Sequence, residues 1–190
     1  MKIKNLEELD TPCLVLDKTR LEKNCSFARE KCIGLNTILR PHVKTPKSIE
    51  VAKIALDNEV GPITVSTLEE AEYFASAGFK DILYAVCIIP RKFGRLDFIQ
   101  KKYNCVIRIV IDSILIAKAI VDYSKLHSTK FEIFIEIDCG EGRSGLDFED
   151  KKIIEISKVF NVCDKTNLIG VLTHAGHSYL TDNKNEILSI

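Results

Sequence analysis

The chain has 190 residues, 46% apolar and 28% charged, with 27 basic and 27 acidic side chains that cancel to zero formal net charge. That balance suits a soluble globular chain with enough apolar mass for a core, argues against disorder, and gives no sign of a nucleic-acid partner. No apolar run approaches the ~18 residues of a membrane span and the first eight residues lack a signal-peptide core, so a cytoplasmic setting without membrane attachment is expected.

In chain order, strand-like runs alternate with helix-like segments. A lead-in strand is read near Cys13–Leu16, and Asp17 signals a helix that Gly34 stops. A strand Thr37–Arg40 follows, then a helix beyond Pro46 to about Leu56, and a short strand Ile63-Thr64-Val65. Ser66-Thr67-Leu68-Glu69 reads as a capping box opening a helix that runs to Gly78. Strands are then expected at Ile82–Val86, Val106–Ile111, Phe131–Ile137 and Leu168–Leu172. Helices are expected from Pro90, across Ser113–Lys125 and across Lys151–Val159.

This alternation implies an α/β fold with a parallel sheet under helices. The Rossmann glycine fingerprint is absent, which disfavours a doubly wound sheet. A closed (β/α)8 barrel takes eight strands in about 250 residues. About six βα units are legible here, in one domain over residues 1–190, so an incomplete barrel of the TIM type is expected. Leu180–Leu188 looks like the opening of a further helix.

Seven cysteines occur with no CxxC pair. Reduced thiols, mostly buried as small hydrophobes, are the expectation, and a zinc knuckle has no support.

Three clusters carry candidate chemistry. Arg40-Pro41-His42-Val43-Lys44-Thr45-Pro46-Lys47 lies at the C-terminal end of the first expected barrel strand, where barrel enzymes place their chemistry. An amine at Lys44 can form a Schiff base if burial and neighbouring cations such as Arg40, His42 and Lys47 keep it partly neutral; the plainer alternative is a solvated surface charge. Glu136–Gly145 holds three glycines within six residues, and Arg143 there can offer a fork of donors to an anionic oxygen or pair with Asp138 or Glu141. In Thr173–Tyr179, His174 and His177 lie three apart; polar lining is favoured over a metal pair, since no adjacent carboxylate completes a metal motif. Cys87 also follows a strand but lacks a base, Glu69 and Glu70 suit helix-start electrostatics, and His127 sits in a polar turn.

Together these segments, with Leu9-Asp10-Thr11-Pro12 and Ile63–Ala71, resemble the D-threonine aldolase/D-serine dehydratase family of pyridoxal-phosphate enzymes with the alanine-racemase-type barrel. The resemblance implies that Lys44 carries the cofactor as a Schiff base and then acts as a base at Cα. It implies that His42 belongs to the cofactor-site motif and that Arg143 approaches the phenolic oxygen of the pyridine ring. It also implies that His174 lies beside the ring and that Tyr179 is near the cofactor. The implied reaction is retro-aldol cleavage of a D-3-hydroxy amino acid such as D-threonine, or dehydration of D-serine.

The chain departs from that family's pattern in two ways. Pro46 stands where the family often has histidine. Family members are also roughly twice this length, well past the ~250 residues of a simple barrel, with a C-terminal β domain that carries a divalent metal, zinc or manganese. The chain is therefore expected to be an N-terminal portion, inactive or poorly active alone, with no metal site of its own and with a homodimer possible at full length. The alternatives are a racemase of the same barrel type, a non-catalytic pyridoxal-phosphate-binding protein, and a cofactor-free Schiff-base aldolase.

Overall fold

The computed structural model describes residues 5–190. Helix starts follow local side-chain chemistry. Asp17 accepts the Arg20 N–H at 3.0 Å and opens α1 (Lys18–Gly34). Ser48 accepts from Val51 and opens α2 (Ile49–Ala55). At α3 (Leu68–Ser76) the cap is Thr67, one residue later than the sequence pattern suggested. Its hydroxyl accepts the Glu70 N–H at 3.0 Å, while the Glu70 carboxylate reaches back to the Ser66 N–H at 2.8 Å. The expected Ser66–Glu69 pairing fails because Glu69 turns outward to Arg95.

The other elements are β1 (Ile63–Val65), β2 (Asp81–Cys87), α4 (Phe93–Tyr103), β3 (Val106–Ile111), α5 (Ile114–His127), β4 (Phe131–Asp138), β5 (Leu146–Asp147), α6 (Lys152–Phe160), β6 (Thr166–Thr173) and α7 (Lys184–Leu188). Pro90 does open a helix, as a single 3-10 turn that runs into α4. β1 to β4 pair in sequence order, β6 lies on the far side of β4, and the two-residue β5 meets the end of β4. Every pairing is parallel.

Alternation along the strands separates two faces. Ile82 and Tyr84, Ile107, Ile109 and Ile111, and Ile133 and Ile135 pack with Phe74, Leu96, Ile120 and Ile156 of the helices into one apolar core. The intervening residues (Leu83, Ala85, Cys87, Asp112, Glu136) line a cleft on the opposite face. Toward the N-terminal end of the strands that face is charged. Arg40 grips both oxygens of Asp81 (2.6 and 2.9 Å), and Arg108 pairs with Asp81 and with Glu132 (2.9 Å).

The segment Thr37–Arg40 is not a strand. Its continuation makes one parallel bridge, His42 to Thr64, through Thr64 N–H to Pro41 O and Val43 N–H to Thr64 O, each 2.9 Å. The next bonds upstream would need the N–H groups of Pro41 and Pro62, which proline lacks. The next bonds downstream would need the Ser66 N–H and Val43 O, which Glu70 and the Lys47 N–H have taken. The ladder is thus one bridge long for chemical reasons.

The lead-in segment Cys13–Leu16 is likewise unpaired among the described residues, and Leu14, Val15 and Leu16 are exposed. All seven cysteines are free, but only Cys105 and Cys163 are buried, fewer than composition suggested. His127 ends α5, exposed, with its ring stacked on Tyr123. No helix among the described residues is long and apolar enough to cross a membrane.

Candidate active site

The cleft lies where β1, β2, β3, β4 and β6 end, and has a volume of about 470 Å³. Its wall brings together His42, Lys44, Ser66, Cys87, Asp112, Glu136, Arg143, Ser144 and His174. Residues from all three sequence clusters therefore meet at one mouth. A second hollow of similar size runs along α1, lined by Phe27, Glu30, Lys31, Gly34 and Leu35, and holds none of the three sequence clusters.

Lys44 follows directly on the His42–Thr64 bridge, and its side chain is exposed at the rim, without the burial that would help keep its amine neutral. Two of the three cations thought to crowd it are turned away. Arg40 is held by Asp81 at the other end of the strands, and Lys47 pairs with Glu70 at 3.1 Å. His42 remains. Its Nδ1 accepts the Lys44 N–H and its Nε2 lies 3.3 Å from Ser66 Oγ. In the neutral ring, an accepting Nδ1 leaves the hydrogen on Nε2, which then donates to Ser66. Burial and the Lys44 ammonium both press the His42 imidazole below its ordinary value, which favours this neutral form.

Arg143 reaches the cleft from a loop held at several points. Asp138 Oδ1 accepts the N–H groups of Gly140 and Gly142 (2.9 and 3.1 Å), and these bonds hold its carboxyl below the usual range. Ser144 Oγ donates to Glu136 Oε1 at 2.7 Å. Gly145 has φ +94°, and a Cβ there would lie 2.8 Å from Asp138 N and 2.9 Å from Ile137 C, so this turn requires glycine. Neither Asp138 nor Glu141 pairs with Arg143. Among the described residues no carboxylate lies within ion-pair distance of either Lys44 or Arg143.

Cys87 donates its thiol hydrogen to Glu136 Oε2 at 3.1 Å. Burial, that bond and the nearby Asp112 carboxylate push the thiol far up, so it stays protonated. His174 lines the cleft with Nδ1 2.8 Å from Glu141 Oε2. Tyr179 does not join the cleft: it is 80% exposed and meets the His174 ring edge-on, centroids 6.1 Å apart. His177 is half-buried outside the cleft wall, with Nδ1 unbonded. Among the described residues no three His, Cys, Asp or Glu side chains gather as a metal ligand set.

The model for the alanine racemase N-terminal domain matches residues 16–187. The chain belongs to this family. It is 36% identical to D-threo-3-hydroxyaspartate dehydratase from Delftia sp. strain HT23, over 96% of this chain and 48% of that protein. The solved structure of that dehydratase superposes with a TM-score of 0.89, over 96% of this chain and 48% of that one. D-serine dehydratase from Dictyostelium discoideum is 29% identical, over 98% of this chain and 50% of that protein. An alanine-racemase-like protein from Idiomarina loihiensis superposes with a TM-score of 0.85 at 37% identity, covering 93% of this chain and 46% of that one. The fold and family expected from the sequence motifs hold. The chain spans about half the length of the curated relatives it matches.

Within this cleft, sequence reasoning gave no chemical role to Ser66, Asp112 or Glu136: Ser66 is a cap in the sequence pattern, Asp112 falls between an expected strand and helix, and Glu136 only opens the Glu136–Gly145 cluster. Period-two alternation offered the available signal, since Asp112 and Glu136 share the strand face of Val110 and Phe134.

Proposed function

We propose that this chain is the cofactor-binding barrel part of a pyridoxal-phosphate-dependent lyase acting on D-3-hydroxy amino acids. The observation that carries the reading is the pairing, on one cleft, of a primary amine and a guanidinium, Lys44 and Arg143, neither of which forms an ion pair among the described residues. Their donor chemistry fits a group with an aldehyde and an anionic ring oxygen. Lys44 would hold the aldehyde carbon, Arg143 the phenolic oxygen, and His174 would stand beside the ring. When bound, pyridoxal phosphate supplies an electron sink that weakens the bonds to a substrate's Cα.

The chain's own groups do the remaining work. The Lys44 amine would move a proton at the substrate's Cα. Neutral His42, pinned between the Lys44 N–H and Ser66, buttresses the backbone that carries this amine without adding a charge. Asp112 and Glu136 make the facing wall acidic, and Glu136 is already committed to Cys87 and Ser144. In this reading the substrate β-hydroxyl either leaves as water or becomes the carbonyl of a cleaved aldehyde. The relatives named as dehydratases support the first outcome.

Incubation with pyridoxal 5'-phosphate, borohydride reduction and peptide mapping test the reading. The label is expected on Lys44 and is lost in Lys44→Ala. A label on another residue, or spread over the surface lysines, overturns the proposal. Product analysis with D-threonine, D-serine and D-alanine then separates cleavage, dehydration and racemisation.

A further inference from the structure

We infer that Glu141 is a positioning residue for His174, fixing the imidazole with its hydrogen on Nδ1 and its Nε2 lone pair free. Glu141 belongs to the loop after β4 and His174 to the loop after β6, so the pair couples two separate segments of the mouth. Glu141 is not part of the cleft wall, whereas His174 is. The carboxylate therefore stands behind the ring and acts through it.

Two independent features support this role. The first is the hydrogen-bond set. Glu141 Oε2 accepts from His174 Nδ1 at 2.8 Å and from the Gly176 N–H at 3.2 Å. These bonds hold the Glu141 carboxyl below its ordinary range, with burial opposing them. An ionised carboxylate only accepts, so the shared hydrogen sits on Nδ1, and in a neutral ring Nε2 is then an acceptor. Cys139 Sγ adds a 3.6 Å contact to the His174 carbonyl from the same loop.

The second feature is Gly176. Its backbone is not in the left-handed region, so any L-residue could adopt its conformation. The space for a side chain is nevertheless filled, and the three nearest atoms all belong to the Glu141 carboxyl group, with Cδ at 2.6 Å and Oε2 at 2.7 Å from an added Cβ. Glycine at 176 makes room for this carboxylate. A side chain there would push the carboxylate off His174 without altering Glu141 itself.

The consequence for catalysis rests on the proposed cofactor reading, because a fixed acceptor at Nε2 matters only if a ring lies against His174. The tautomer does not depend on that reading. Nitrogen-15 NMR of histidine-labelled protein, at a pH where the ring is neutral, reads it directly without cofactor. The expected spectrum of His174 has a pyrrole-type Nδ1 and a pyridine-type Nε2. Glu141→Ala should shift the balance toward the Nε2–H form that free imidazole prefers. Gly176→Ala should do the same with Glu141 intact, and Glu141→Gln, which keeps an acceptor oxygen, should retain much of the parental pattern. A parental Nε2–H spectrum, or an unchanged tautomer in both Glu141→Ala and Gly176→Ala, overturns the inference. Neither result touches the borohydride mapping of Lys44, so the two proposals fail separately.

Discussion

Ser144 Oγ donates to Glu136 Oε1 at 2.7 Å, tying the residue that follows Arg143 to the strand from which its loop springs. Gly145 supplies the second restraint by lying against the backbone of Glu136, Ile137 and Asp138. Gly145→Ala is expected to cost about 2–4 kcal/mol, from a φ unsuited to alanine plus a Cβ driven into backbone. Ser144→Ala should cost only about 1 kcal/mol. Urea unfolding of the two variants checks the order; equal effects would contradict the role given to Gly145.

Cys87 faces the cleft but is kept as a thiol by burial, by Glu136 and by Asp112. Cys13, by contrast, is exposed to solvent. Iodoacetamide at mildly alkaline pH should alkylate Cys13 faster than Cys87 by on the order of tenfold or more, since the thiolate is the reacting form. Glu136→Gln should narrow that gap. Mass spectrometry of timed samples gives both rates.

His42 titrates below its ordinary value of 6.5 in the folded chain, because of burial and the neighbouring Lys44 charge. As pH falls below about 6.5, the unfolded chain takes up a proton that the folded one refuses, so stability drops until the folded value is reached. Urea midpoints should fall between about pH 7.5 and about pH 5.5, a range above that in which carboxylates titrate. His42→Gln should flatten this slope while leaving the steeper acid limb.

Asp81 is shared by Arg40 and Arg108, with the three side chains 35%, 24% and 21% exposed. Asp81→Asn leaves two guanidinium groups without their shared carboxylate, Arg108 keeping only Glu132 as an acidic partner. Breaking a fully buried pair costs roughly 3–5 kcal/mol; at this exposure about 1–2 kcal/mol is expected. Added salt should partly restore stability, by screening the exposed like charges. A variant as stable as the parent at low salt would show the cluster to be energetically idle.

Much of the site was legible because barrel chemistry clusters after strand ends, and Lys44, Arg143 and His174 each follow a strand-like run. Orientation was not legible. Arg40 and Lys44 are four residues apart and look like neighbours in sequence. Arg40 lies before the single His42–Thr64 bridge and reaches Asp81, while the turn that starts after the bridge carries Lys44 to the rim of the cleft.

By itself the sequence determined most of the helices and the main strands from Ile63 onward, the parallel sheet and the family, because apolar periodicity, caps and prolines act within a few residues of themselves. Even the shortness of the first ladder follows from local chemistry, since Pro41 and Pro62 have no hydrogen to give. Tertiary structure alone decided which polar groups meet. Asp81 with Arg40, Glu136 with Cys87, and Glu141 with His174 are separated by 41, 49 and 33 residues. Such pairings depend on strand register and loop path, which put distant polar groups on one face, and no local pattern encodes them.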